Sequence, residues 1–116
     1  MAQKKVLIVL NHAPYGTIYH SEGLRAAVGV TAGIDEHTVD TVYLGDAVFF
    51  GLKGVDRTDS AKYLGTLAKS ASHPRVEKEA LHARGIKSED LAEDVQVISR
   101  ADILGLIEKA DVTIDF

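Results

Sequence analysis

The chain has 116 residues, 46% of them hydrophobic and 26% charged, which is the balance of one soluble domain with one core, spanning residues 1–116. A net charge of -4 with no cationic block argues against nucleic acid as a partner, and no apolar run approaches the roughly 20 residues that a membrane span needs. There is no cysteine, so disulfides, thiolate metal sites and cysteine nucleophiles are excluded. The start, Met1-Ala2-Gln3-Lys4-Lys5, leads into too short an apolar run for a signal-peptide core, and cytoplasmic residence is expected.

Val6 to Leu10 is a compact run rich in β-branched residues and reads as a central, fully buried strand. Asn11 to Gly16 break the pattern, with Pro14 and Gly16 as punctuators. A helix is expected from about Thr17, as N-cap, to about Gly33, as stop, with Leu24, Ala27, Val28 and Thr31 on one face. Gly23 and Gly29 inside it are read as points of close packing on the sheet. His37 to Leu44 suits a second strand, closed by Gly45-Asp46.

Ala47 to Leu52 is apolar on all sides. Thr58 is placed to cap a helix from about Asp59 to Ser72, with Ala61, Leu64, Leu67, Ala68 and Ala71 as its stripe. Short elements are expected at Arg75 to Glu77, at Lys78 to Ala83 and at Ser88 to Glu93, the last capped by Ser88. Val95 to Ile98 is a strand. Ser99, with Asp102 three residues on, forms a capping-box pattern for a helix that turns Ile103, Leu104, Ile107 and Ala110 to the core. Val112 to Phe116 is the closing strand. Strands and helices alternate throughout, so a three-layer α/β/α domain is expected, with a mostly parallel sheet of about five strands covered on both faces.

In such a sheet the C-terminal strand ends share one edge. That edge would gather His12, Asp46 and Glu77, which are the candidate catalytic residues for acid–base chemistry. Tyr15, Gly16 and Thr17, at a helix start, are candidate ligand-binding residues that could hold an anion on free backbone N–H groups. The loop has neither the G-x-G-x-x-G nor the Walker pattern, and no cofactor is expected. The five histidines have no metal-ligand spacing, and no metal is expected. Val48, Phe49, Phe50 and Leu52 are candidate interface residues. Adjacent phenylalanines point in different directions on a helix or a strand, so one is left outside when the other fills the core.

Five stretches occur in the order found in the DsrE/DsrF/DsrH sulfur-relay family. They are Ala13-Pro14-Tyr15-Gly16-Thr17, Glu22-Gly23-Leu24, Gly45-Asp46-Ala47-Val48-Phe49, Leu81-His82-Ala83-Arg84-Gly85-Ile86 and Ala110 to Phe116. The chain resembles this family over nearly its whole length, most closely its DsrF (TusC) branch. The resemblance implies cytoplasmic sulfur trafficking and assembly into trimers or hexamers, either homo-oligomers or hetero-oligomers with a cysteine-bearing paralogue. It also implies a persulfide-carrying cysteine at the position of Glu77, and in some members a second at Ala80. Neither is present, and a carboxylate cannot carry a persulfide. The expected role is therefore a non-catalytic or ligand-binding subunit. The alternative is a small-ligand binder or enzyme using His12, Asp46 and Glu77.

Overall fold

The computed structural model describes residues 3–32, 37–70 and 72–116. The apolar run becomes β1 (Lys5–Leu10), and Val6 to Leu10 are all buried. Then follow α1 (Tyr19–Thr31), β2 (Thr38–Tyr43), a 3-10 segment (Gly45–Gly51), α2 (Ala61–Ala68), β3 (Arg75–Glu77) and α3 (Lys78–Ala83). A second 3-10 turn (Ser88–Asp90), β4 (Gln96–Ile98), α4 (Arg100–Lys109) and β5 (Val112–Asp115) complete the chain. The five strands run in the order β4-β3-β2-β1-β5, and every pairing is parallel. β1 is thus an inner strand, one place from the edge, and β2 holds the middle. Among the described residues, no helix is long and apolar enough to cross a membrane.

This strand order dictates how the two faces are covered. From β1 to β4 the chain steps steadily across the sheet, so right-handed crossovers put all the intervening helices on one face. From β4 the chain returns past β3, β2 and β1 to reach β5, so the same handedness sends α4 to the opposite face. The first face carries α1, α2, α3 and the 3-10 segment, and its core includes Ile8, Leu24, Tyr43, Phe50, Leu67 and Leu81. The second face carries α4 alone, with Ile103 buried against Leu7, Val9 and Val42.

Several local expectations are corrected. Thr17 does not cap α1; its hydroxyl donates to the Ala13 carbonyl at 3.3 Å, and the helix starts at Tyr19 without a side-chain cap. Gly23 does mark close packing, since a Cβ there would lie 2.4 Å from Leu10 Cδ2, but Gly29 faces open space. Thr58 is held by the Asp56 carboxylate instead of capping α2, which is shorter than its apolar stripe suggested. The Ser88 turn is closed by the Asp90 carboxylate, which accepts from the Lys87 N–H at 2.9 Å. Ser99 caps α4 as expected, accepting from the Asp102 N–H at 3.1 Å. Leu104 and Ile107 are exposed, however, and Leu106 takes their place beside Ile103. The proposed stop at Gly33 and the stripe residue Ala71 lie outside the described residues.

Candidate functional site

Parallel pairing brings the C-terminal ends of the strands to one edge, as the sequence implied, but the three candidate catalytic residues go to three separate partners there. His12 follows β1 and stacks on the Tyr19 ring at 4.1 Å between centroids. Asp46 is the second residue of the 3-10 segment and accepts from Arg84, whose terminal nitrogen lies 2.8 Å from Asp46 Oδ1. Arg84 also donates to the Ala80 carbonyl and lies over the Phe49 ring, 5.9 Å from its centroid. Glu77 ends β3. Among the described residues, no hydrogen bond or ion pair joins His12, Asp46 and Glu77 to one another, and no group of three acidic or histidine side chains could hold a metal.

Glu77 is buried, and its register partner on β4 is Ile98. Both carboxylate oxygens accept from Arg100, at 3.1 and 3.2 Å. Arg100 is the first residue of α4, and its backbone N–H donates to Glu79 Oε1 at 2.8 Å. That bond is the main reason the Glu79 carboxyl is held below its usual range. The hydrogen bond from Arg100 to Glu77, with the attraction between their charges, raises the guanidinium above its ordinary value. The result is a clamp in which two successive acidic positions, separated by Lys78, bind the side chain and the backbone of one arginine. It fastens β3 to the start of α4.

Tyr15, Gly16 and Thr17 line a different feature, a cleft of about 260 Å³ between the loop after β1 and residues Asp56 to Ser60. Gly16 adopts φ +84°, a left-handed turn that the loop needs and that side-chain-bearing residues disfavour. The Tyr15 hydroxyl donates to the Asp56 carbonyl, bridging the two walls. Burial, and after it the Asp56 charge, raise the Tyr15 pKa.

Below the cleft lies an aromatic cluster that the sequence reading passed over. His20 is 4% exposed, and its Nε2 sits 3.3 Å from the Tyr43 hydroxyl. Its ring packs 4.0 Å from that of Phe50, which stacks on Tyr43. Arg57 lies over Phe50 at 4.7 Å, donates to the Phe50 carbonyl and pairs with both oxygens of Asp94. Burial, with the Arg57 charge second, pushes the His20 pKa down to about 4. His20 was legible in principle. It is four residues before Leu24 and seven before Ala27, on the apolar stripe of α1, where a histidine is enclosed.

Of the candidate interface residues, Val48 and Phe50 are buried in the chain's own core, Leu52 is partly covered, and Phe49 remains 36% exposed. The 3-10 geometry divides the adjacent rings, one inside and one outside.

A model of the DsrE/DsrF-like family matches residues 4–116. Uncharacterized protein MK0008 of Methanopyrus kandleri is 28% identical over 114 residues, spanning 96% of this chain and 93% of the relative. Uncharacterized protein MJ0989 of Methanocaldococcus jannaschii is 26% identical over 97% of this chain and 99% of its own. The crystal structure of the ychN protein from E. coli superposes with a TM-score of 0.84 at 24% identity, covering 98% of this chain and all of the other. The structure of MTH1491 from Methanobacterium thermoautotrophicum gives 0.81 at 14% identity, covering 98% of this chain. These two share the three-layer fold, and with the family match over nearly the whole length they identify the chain as a member of the DsrE/DsrF-like family.

Proposed function

We propose that this chain serves in intracellular sulfur trafficking as a subunit that carries no sulfur itself. The observation behind this reading is the state of Glu77. It stands at the position that the family resemblance gives to the relay cysteine, and it is buried and paired with Arg100. Persulfide chemistry needs a thiolate, and the chain has no cysteine anywhere. A carboxylate locked to an arginine instead holds β3 against α4 and keeps the edge of the sheet in one shape. Such a subunit would work beside a cysteine-bearing paralogue, in a trimer or hexamer. Exposed Phe49, Leu104 and Ile107 supply apolar surface for such an assembly.

The test is intact-mass spectrometry after incubation with a persulfide donor, alone and mixed with a cysteine-bearing relative. The expected result is an unmodified mass for this chain in both samples, sulfur on the relative alone, and co-elution of the two proteins by size exclusion. A sulfur adduct on this chain would overturn the role. So would separate elution with sulfur loading of the relative unchanged.

A further inference from the structure

We infer that residues 53–59 form a strap that opens as a unit over the His20–Tyr43–Phe50 cluster while the sheet and its helices stay folded. Arg57 and Tyr15 are its latches. The strap belongs to neither a helix nor a strand. None of its residues is buried, and Val55, its one apolar side chain, is only partly covered. Its two ends are fixed more firmly. At one end Leu52 bridges to Leu91, and the Lys53 N–H donates to the Asp90 carbonyl at 2.8 Å. At the other, Ser60 is buried and the chain enters α2, whose Leu67 is enclosed.

Between those anchors the bonds that hold the strap down are polar. Arg57 donates to the two oxygens of Asp94 at 2.9 and 2.8 Å and to the Phe50 carbonyl at 3.1 Å, with its guanidinium over the Phe50 ring. The Tyr15 hydroxyl donates to the Asp56 carbonyl from across the cleft. The Asp94 side chain is 39% exposed, so water competes for Arg57. Such contacts are weak beside the burial of Leu24, Tyr43 and Phe50 beneath them, so releasing the strap costs far less than unfolding the domain. Gly54, with φ +79° and nothing within 4 Å of where a Cβ would stand, gives the strap a swivel. Lifting Arg57 uncovers the Phe50 ring, which is 1% exposed when the strap is down, and behind it the His20 ring 4.0 Å away. The cleft and the cluster then form one cavity. The strap thus sets when His20 and the Tyr43 hydroxyl meet solvent, and nothing in this device depends on Glu77.

The chain has no cysteine, so one introduced thiol reports on one place. Ser60→Cys puts it in the cleft wall at the strap's end, where the native residue is 5% exposed. Thr41→Cys puts it in β2, at a position 2% exposed that only unfolding uncovers. Each variant is labelled with iodoacetamide across a urea series, and its unfolding curve is measured alongside. The thiol at position 60 should react at least about tenfold faster than that at position 41, with a shallow dependence on urea where position 41 shows a steep one. In the Ser60→Cys background, Asp94→Asn and Tyr15→Phe should each speed labelling about fivefold, and neither should speed labelling at position 41 to that extent. Should Thr41→Cys fail to fold, the unfolding curve of Ser60→Cys itself supplies the rate that global unfolding allows. The inference fails if position 60 reacts no faster than global unfolding permits, if the substitutions speed positions 60 and 41 alike, or if either leaves position 60 unchanged.

Discussion

On the first face of the sheet, three helices and a 3-10 segment enclose Leu24, Tyr43 and Phe50 completely, while on the second face α4 alone covers Leu7, Val9 and Val42. The contrast comes from strand order, not from a shortage of apolar residues. Leu104 and Ile107 of α4 itself are 60% and 38% exposed. The first face holds the fold together. The second leaves apolar side chains of α4 in solvent and holds a buried carboxylate, Glu77, fixed by one arginine.

The sharpest way to break this contrast is on the first face. Phe50→Ala removes the ring shared by His20, Tyr43 and Arg57, and should cost about 3–5 kcal/mol in urea unfolding. A loss under 1 kcal/mol would mean that the cluster is not the keystone of that face. Next comes pH. His20 has a folded pKa of about 4 against 6.5 when unfolded, so the unfolded chain takes up the proton first. Stability is therefore full above the unfolded value and falls as pH drops through the window from 6.5 to 4. Between pH 7 and pH 5 this group alone should remove about 2 kcal/mol. Unfolding curves of the parent and His20→Gln at the two pH values isolate this part, and parallel pH slopes would refute the assignment.

Arg100→Ala tests the second face. It leaves Glu77 buried without its partner and should cost about 1–2 kcal/mol at pH 7, with part of the loss recovered by Glu77→Gln in the same background. Smallest of all should be Leu104→Ser, within about 0.5 kcal/mol of the parent in unfolding. If α4 is an assembly surface, however, this change should lower the mass seen by light scattering. A large loss of monomer stability from it would show that the second face is better covered than its geometry indicates.

The sequence made the layered fold plain because β1 has no polar residue between Val6 and Leu10, and only a strand covered on both sides reads that way. The Ser99 cap was equally plain, being a local hydrogen bond between residues three apart. What stayed hidden depends on distant segments. Nothing near Leu104 distinguishes it from Ile103; which of them is enclosed depends on where α4 crosses the sheet. The same holds for Glu77, whose Arg100 partner is 23 positions on, and for Asp46, whose Arg84 partner is 38 positions on. Spacing rules placed the candidate acids at the correct edge but could not pair them. Periodicity did hold the clue to His20, which shares the apolar stripe of α1 with Leu24 and Ala27.

The pairing of β1 with β5 bears on how the protein is made. Lys5 donates its backbone N–H to the Asp111 carboxylate, a contact between positions 106 apart, and Val6 to Val9 register with Val112 to Asp115. A ribosome releases the β5 residues long after β1. Until then β1, the most apolar strand, has one edge unpaired, the condition in which strands join those of other chains. Closing so long a loop is also entropically slow. Nascent chains should thus need shielding until β5 docks, and a stall in synthesis before Val112 should yield insoluble rather than partly folded protein.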